Sequence, residues 1–205
     1  MIILTAESLE KRYGQKLVIS GLNFSFKTVV LGIAGSNGSG KSTLLKCLTG
    51  LVKPSSGTIN WQYRGNNYLP KEIKPFVGFA APYVQLYEEL TVSENLQFLI
   101  ELQNSAHHMD IDPLLDRFEA RKLSEQPYGN LSTGQQQRVK LAAANIKNPP
   151  VLILDEPGAN LDKDGKAIIS ALVNRYRDEG KMVIIASNQT DELNLCDEIL
   201  NLNQL

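Results

Sequence analysis

Apolar residues along the chain fall into two kinds of run. In the N-terminal third they alternate with polar ones, as in Leu22-Asn-Phe-Ser-Phe26 and Thr58-Ile-Asn-Trp-Gln-Tyr63. Alternation is the pattern of a strand with one buried face, and strands are expected over residues 2–9, 17–19, 22–27 and 58–63. The second kind is apolar throughout, over residues 29–34, 151–154 and 182–186, with 77–81 a shorter member. Continuous runs of this length fit strands covered on both faces, as in a parallel sheet between helices. Helical spacing occupies the intervals 41–51, 93–103, 111–121, 134–147 and 163–179, and a last strand is expected over 198–202. Strands alternating with helices predict an α/β fold with a mixed or parallel sheet flanked by helices and an N-terminal antiparallel β subdomain. From Pro82 to Gln137 there are helical patterns but no buried strand. That stretch reads as an inserted helical subdomain, with 1–81 and 138–205 as the core of one domain.

Composition narrows this reading. Of the 205 residues, 42% are hydrophobic and 21% charged, enough for a real core. The formal net charge of -1 argues against a sequence-independent grip on nucleic acid, which needs a basic surface. Cys47 and Cys196 lack metal-type spacing and read as free thiols of a reducing compartment. The first residues carry acids early and do not read as a signal peptide. The apolar runs are far shorter than a membrane span, so a membrane role is expected to come through a partner.

One segment carries specific chemistry. The apolar run 29–34 leads into Gly35, Ser36, Asn37, Gly38, Ser39, Gly40, Lys41, Ser42 and Thr43, and a helical pattern follows. A strand, a glycine-rich loop and a helix in this order form a phosphate-binding loop. Its glycines let backbone N–H groups turn around an anion, and the helix N-terminus favours negative charge. Lys41 would reach the β and γ phosphates, and Ser42 offers a hydroxyl ligand for Mg²⁺. A second segment, Val151-Leu-Ile-Leu-Asp155-Glu156-Pro157, is a buried strand ending in two acids. Asp155 is expected to hold Mg²⁺. Glu156, one residue on, would point elsewhere and orient or activate water.

With Leu131-Ser132-Thr133-Gly134-Gln135 added, the chain resembles the ATP-binding-cassette family along essentially its whole length. The phosphate loop is similar to that family's Walker A, the strand ending in Asp155 to its Walker B, and LSTGQ to its LSGGQ signature. Tyr13 resembles the aromatic that stacks on adenine, although alone it reads as a strand-edge aromatic. Residues 90–96 resemble the start of the helical subdomain. Ala159-Asn160-Leu161-Asp162 resembles the D-loop, although Asp162 or Ser132 alone would simply cap a helix.

The resemblance implies an ATPase using ATP and Mg²⁺. Two cassettes, as homodimer or heterodimer, close head to tail over ATP, and Ser132, Gly134 and Gln135 of one face the phosphate loop of the other. Hydrolysis reopens them and drives a separate transmembrane permease subunit. This places the chain in the cytoplasm, peripheral on the inner face of the cell membrane, with no nucleic-acid partner expected. The compact length resembles haem-exporter and cytochrome-c-maturation cassettes, and the end at Leu205 favours an export or biogenesis role. A soluble non-transport ATPase and a slow-hydrolysing nucleotide sensor are the alternatives.

Two positions depart from the family pattern. Where a glutamine metal ligand is expected after residues 77–81, the chain has Pro82, which has neither a side-chain oxygen nor an N–H. Gln85 either moves into that role or is a loop residue. Where a switch histidine is expected after 182–186, the chain has Asn188. Its amide can hold a γ-phosphate or a carbonyl but carries no proton. Asn188 is therefore expected to position while Glu156 does the chemistry. Thr133 adds a branched side chain where the signature usually has glycine. The two histidines, His107 and His108, read as surface residues.

Overall fold

The computed structural model describes residues 1–102 and 109–204. His107 and His108, and the last residue of the helix expected over 93–103, lie outside them. The first half contains β1 (Ile2–Tyr13), β2 (Lys16–Phe26), β3 (Val30–Ala34), α1 (Lys41–Leu48), β4 (Ser56–Tyr63), β5 (Asn66–Tyr68), β6 (Val77–Ala80) and α2 (Val92–Leu102). There follow α3 (Asp112–Arg117), α4 (Thr133–Ala144), β7 (Val151–Asp155), α5 (Lys163–Asp178), β8 (Met182–Ser187), α6 (Thr190–Leu193) and β9 (Glu198–Asn201).

The alternating segments build an antiparallel sheet in the order β2-β1-β4-β5. β1 runs on to Tyr13, past the expected end at residue 9, and the two strands expected over 17–19 and 22–27 are one strand. The cause is a bulge. Ser8 at φ 46° and Gly21 at φ 56° interrupt the pleat, and the pairing register shifts between Ala6 and Leu9. Asn23 Oδ1 accepts the Ser8 N–H at 2.7 Å, which satisfies the group the bulge frees.

The apolar runs build a wholly parallel sheet in the order β6-β7-β8-β3-β9. Every residue of β3, β7 and β8 is buried because both faces are covered. Val151 and Ile153 pack with Trp61, Leu44 and Leu48 between this sheet, α1 and the antiparallel sheet. Leu152 and Leu154 face the other way, onto Ile169, Val139, Phe118 and Leu96 of the helical side. Chain order and sheet order differ, so β8 sits between β7 and β3. The loops that leave the C-terminal ends of these three neighbours converge, which is where open α/β sheets place ligands.

Between β6 and β7 the described chain is helical, as expected. Two of its helices are shorter than their patterns: α4 stops at Ala144, and α3 stops at Arg117, ahead of Glu119 at φ 51°. α4 runs unbroken through residue 137 and packs on β6, joining the helical part to the sheet.

Candidate functional site

β3 ends at Ala34 and the chain turns at once into the glycine-rich loop that opens α1. The glycines are there for steric reasons. Gly40 has φ 102°, and a Cβ on it would lie 3.1 Å from the Val18 carbonyl oxygen. A Cβ on Gly35 would lie 2.3 Å from Ser39 Oγ. No side chain caps α1, so its first N–H groups face into the loop. Lys41 is 5% exposed, and its Nζ donates to the carbonyls of Gly35 at 2.7 Å and Ser36 at 3.3 Å. The ammonium is thereby held in the loop's mouth, 3.3 Å from Glu156 Oε1. A cavity of about 470 Å³ opens there, lined by Tyr13, Asn37, Gly38, Gly40, Lys41, Ser42, Thr43 and Glu156. Tyr13 is half exposed at its rim, with the Lys11 ammonium 4.8 Å over the ring. Ser36 N and Oγ both donate to Asn203 Oδ1, which pins the loop to the chain's end.

The two acids at the end of β7 differ in setting: Asp155 is the strand's last residue, and Glu156 follows it outside the pleat. Asp155 is 1% exposed, and neither carboxylate oxygen has a hydrogen-bond partner among the described residues. Burial pushes its carboxyl above the ordinary range and Glu156 adds to that, while Ser42, Lys41 and Lys46 pull it back. An orphaned buried carboxylate beside a serine hydroxyl and a phosphate loop suits a divalent cation that arrives with a phosphate. Among the described residues no cluster of His, Cys, Asp and Glu could hold a metal by itself. Glu156 points to Lys41 and has φ 47°, a left-handed conformation that a non-glycine residue adopts only under constraint. Its N–H donates to the Ala186 carbonyl at 2.8 Å, and Ser187 Oγ lies 3.5 Å from Oε2.

Asn188 follows β8, and its Nδ2 donates to Asn37 Oδ1 of the phosphate loop at 3.2 Å. The position read as the switch thus touches the phosphate loop directly. Gln85 does not reach the site. It is exposed, its amide bonds back to the Pro82 carbonyl at 3.5 Å, and it lines a different cleft with Leu99 and Lys140. The reason is local: Val84 N–H closes a turn onto Ala81, which carries Gln85 outward. The Tyr83 ring lies under Lys46 Nζ, 3.8 Å from its centroid, and 6.1 Å from the Phe79 ring.

The LSTGQ segment forms a capping box at the start of α4. Gln135 N–H donates to Ser132 Oγ at 3.3 Å, and Ser132 N–H donates to Gln135 Oε1 at 2.9 Å. Ser132, Gly134 and Gln135 do not line the phosphate-loop cavity. Asp162 caps α5 by accepting the Gly165 N–H at 2.8 Å, and it also receives Arg138 Nη2 at 3.2 Å. Gly134 lies against the D-loop-like turn: a Cβ on it would be 3.0 Å from the Asn160 carbonyl oxygen.

Sequence reasoning missed the residues that hold this turn. Gln137 Nε2 donates to the Pro157 carbonyl at 2.9 Å, and buried Glu192 accepts the Gly158 N–H at 2.7 Å. Burial raises the Glu192 carboxyl. Both are polar residues within helices, and only their burial marks them out.

Comparison with known proteins shows the family. A Nod factor export ATP-binding protein I from Burkholderia orbicola is 33% identical over 197 residues, which cover 94% of this chain and 65% of the relative. The chain thus spans about 65% of that relative's length. A cytochrome c biogenesis ATP-binding export protein from Rhizobium johnstonii is 33% identical, with 91% of this chain and 88% of the relative covered. Among solved structures, cbiO1 from Clostridium perfringens, described as part of the ABC transporter complex cbiONQ, superposes with a TM-score of 0.76 at 30% identity. It covers 97% of this chain and 83% of its own. The dimeric structure of a bacterial ABC transporter cassette gives 0.83 at 24% identity, covering 97% and 93%, a likeness of fold. With the ABC transporter family matched over residues 12–159, this chain belongs to the ATP-binding-cassette family.

Proposed function

We propose that this chain is the ATP-binding and ATP-hydrolysing subunit of a membrane transporter, working as a head-to-tail pair of cassettes. One observation carries the reading. The phosphate loop and Glu156 share one cavity, while the capped N-terminus of α4 that resembles the family signature lies outside it. A second cassette, identical or related, supplies the missing wall. Ser42 and Asp155 would hold Mg²⁺, which neutralises charge on the β and γ phosphates. Lys41 and the loop N–H groups bind the phosphates, and Tyr13 stacks on the base. Glu156 orients and deprotonates water, and Asn188, tethered to Asn37, positions the γ-phosphate.

No described helix is long and apolar enough to cross a membrane. We assign the membrane step to a separate permease, with this chain peripheral on the cytoplasmic face. The permease would dock at the cleft of about 620 Å³ between β6 and the helical part, lined by Phe79, Val84, Leu86 and Leu99. The Nod factor export and cytochrome c biogenesis relatives support an export or biogenesis role. A slow-hydrolysing nucleotide sensor is the second reading, favoured by Pro82 and Asn188.

A single-turnover assay separates the two readings. Wild-type chain should release phosphate from ATP, and Glu156→Gln should slow that step at least about a hundredfold while nucleotide binding persists. An unchanged rate in Glu156→Gln would remove Glu156 from the chemistry, and no release from wild type would favour the sensor.

A further inference from the structure

The turn that follows Glu156 is gripped from two sides by buried polar side chains. Pro157 and Gly158 are themselves buried, so their backbone groups need partners within the protein. Gln137, in the second turn of α4, supplies one: its Nε2 donates to the Pro157 carbonyl at 2.9 Å. Glu192 of α6 supplies the other, with Oε1 accepting the Gly158 N–H at 2.7 Å. Glu192 is 3% exposed, and its Oε2 has no hydrogen-bond partner among the described residues. A carboxylate that gives up its solvation there answers a need for that acceptor. The approach is so close that a Cβ on Gly158 would strike Glu192 Oε1. On the other side of the turn, the Glu156 carbonyl accepts the Ala159 N–H at 3.1 Å, and the Glu156 N–H donates to the Ala186 carbonyl at 2.8 Å. The left-handed backbone of Glu156 is therefore followed at once by two residues that α4 and α6 hold in place. A strained conformation persists only where its surroundings over-determine it.

We propose that Gln137 and Glu192 are positioning residues for Glu156. By fixing the Pro157 carbonyl and the Gly158 N–H, they hold the backbone conformation that turns the Glu156 carboxylate toward Lys41. Neither side chain lines the phosphate-loop cavity, so nucleotide binding does not need them. Their elements matter as much as their contacts. α4 opens with the segment that resembles the signature, and α6 begins just after Asn188. The helix that would meet a partner's nucleotide and the loop read as the switch each bear on Glu156 through one hydrogen bond. The proposal rests on reading Glu156 as the residue that activates water.

The test is single-turnover phosphate release for wild type, Gln137→Met, Glu192→Gln, Glu192→Ala, Glu156→Gln and Gln137→Met combined with Glu156→Gln. ADP affinity is measured by calorimetry alongside. Methionine keeps the length of glutamine and removes its donor. Gln137→Met should slow release about tenfold, with ADP affinity within about twofold of wild type, since misplacing a reacting group lowers rate rather than binding. Glu192→Ala should slow release by a similar factor. Glu192→Gln keeps an acceptor for Gly158 and should stay within about threefold of wild type. Added to Glu156→Gln, Gln137→Met should slow release no further, because both changes act through one group. An unchanged rate in Gln137→Met overturns the proposal, as does an equal loss on both backgrounds, a matching loss of ADP affinity, or a Glu192→Gln as slow as Glu192→Ala. If Glu192→Ala does not fold, Gln137→Met and its combination with Glu156→Gln decide. If Glu156→Gln itself leaves release unchanged, the reading of Glu156 falls first, and these two residues with it.

Discussion

At the scale of single residues, the site holds groups in states that a fold selected for stability alone would avoid. Asp155 is the sharpest case. A carboxylate buried to 1% exposure, unpartnered and beside Glu156, is held above its ordinary pKa chiefly by burial. The sign follows from linkage. A raised carboxyl makes the protonated fold the favoured one, so stability is fully present below the ordinary value of 3.8 and is lost as pH rises through the shifted value. Asp155→Asn has no proton to lose and escapes that loss. In chelator at neutral pH it should be more stable than wild type by about 1 kcal/mol, a thermal midpoint about 2–4 °C higher. The advantage should vanish under acid, and the Mn²⁺-dependent gain in nucleotide affinity should disappear with it. Thermal melts of the two proteins across pH check the first claim, and calorimetry checks the second. Glu156 tells the same story through its backbone. Its φ of 47° turns the side chain from the metal side toward Lys41, and nothing in Asp-Glu-Pro announces that twist.

Elements were legible where both faces of a segment are packed or where chemistry demands a fixed spacing. The runs that became β3, β7 and β8 had to be apolar throughout because each lies between two cores. The phosphate loop was legible because glycines must stand at fixed positions around an anion. β5 was not, since Asn66-Asn67-Tyr68 is a short, polar edge strand held only by β4. Residues 81–86 follow no period, so nothing in the sequence says that Gln85 turns outward. Gln137 and Glu192 were missed because their role is to hold backbone groups of a turn that is distant in sequence. The joint of β6 with α4 is another such feature. Gly78 lies where an added Cβ would sit 1.9 Å from the Ala144 carbonyl oxygen and 2.8 Å from the Pro149 ring. Backbone oxygen cannot give way as a flexible side chain would, so Gly78→Ala must push α4 off the sheet. A loss of about 3 kcal/mol is expected in urea unfolding, at the upper end for overpacking. Because α4 begins with LSTGQ, the same change should weaken ATP-dependent association of the chain.

At the scale of the molecule, the separation of two surfaces decides how the chain works. Lys41 lies in a cavity with Glu156, whereas Ser132, exposed at the head of α4, lies outside that cavity and is tied to Gln135 of its own helix. If the working site is completed by a second copy, a two-fold pair presents each copy's loop to the other's α4, so a defect in either surface disables a different site. Lys41→Ala should abolish hydrolysis because the phosphate contact is lost. Ser132→Arg should also abolish it, by placing bulk and charge where the partner's nucleotide must sit. Mixed in equal amounts, the two dead proteins form heterodimers in about half of the pairs. In each of these, one of the two sites combines a sound Lys41 with a sound Ser132. About a quarter of the wild-type rate should therefore return on mixing. A phosphate-release assay on the mixture measures it, and dilution below the association range should remove it again. A site complete within one chain would leave Ser132→Arg active by itself, and one needing both composite sites intact would keep the mixture silent.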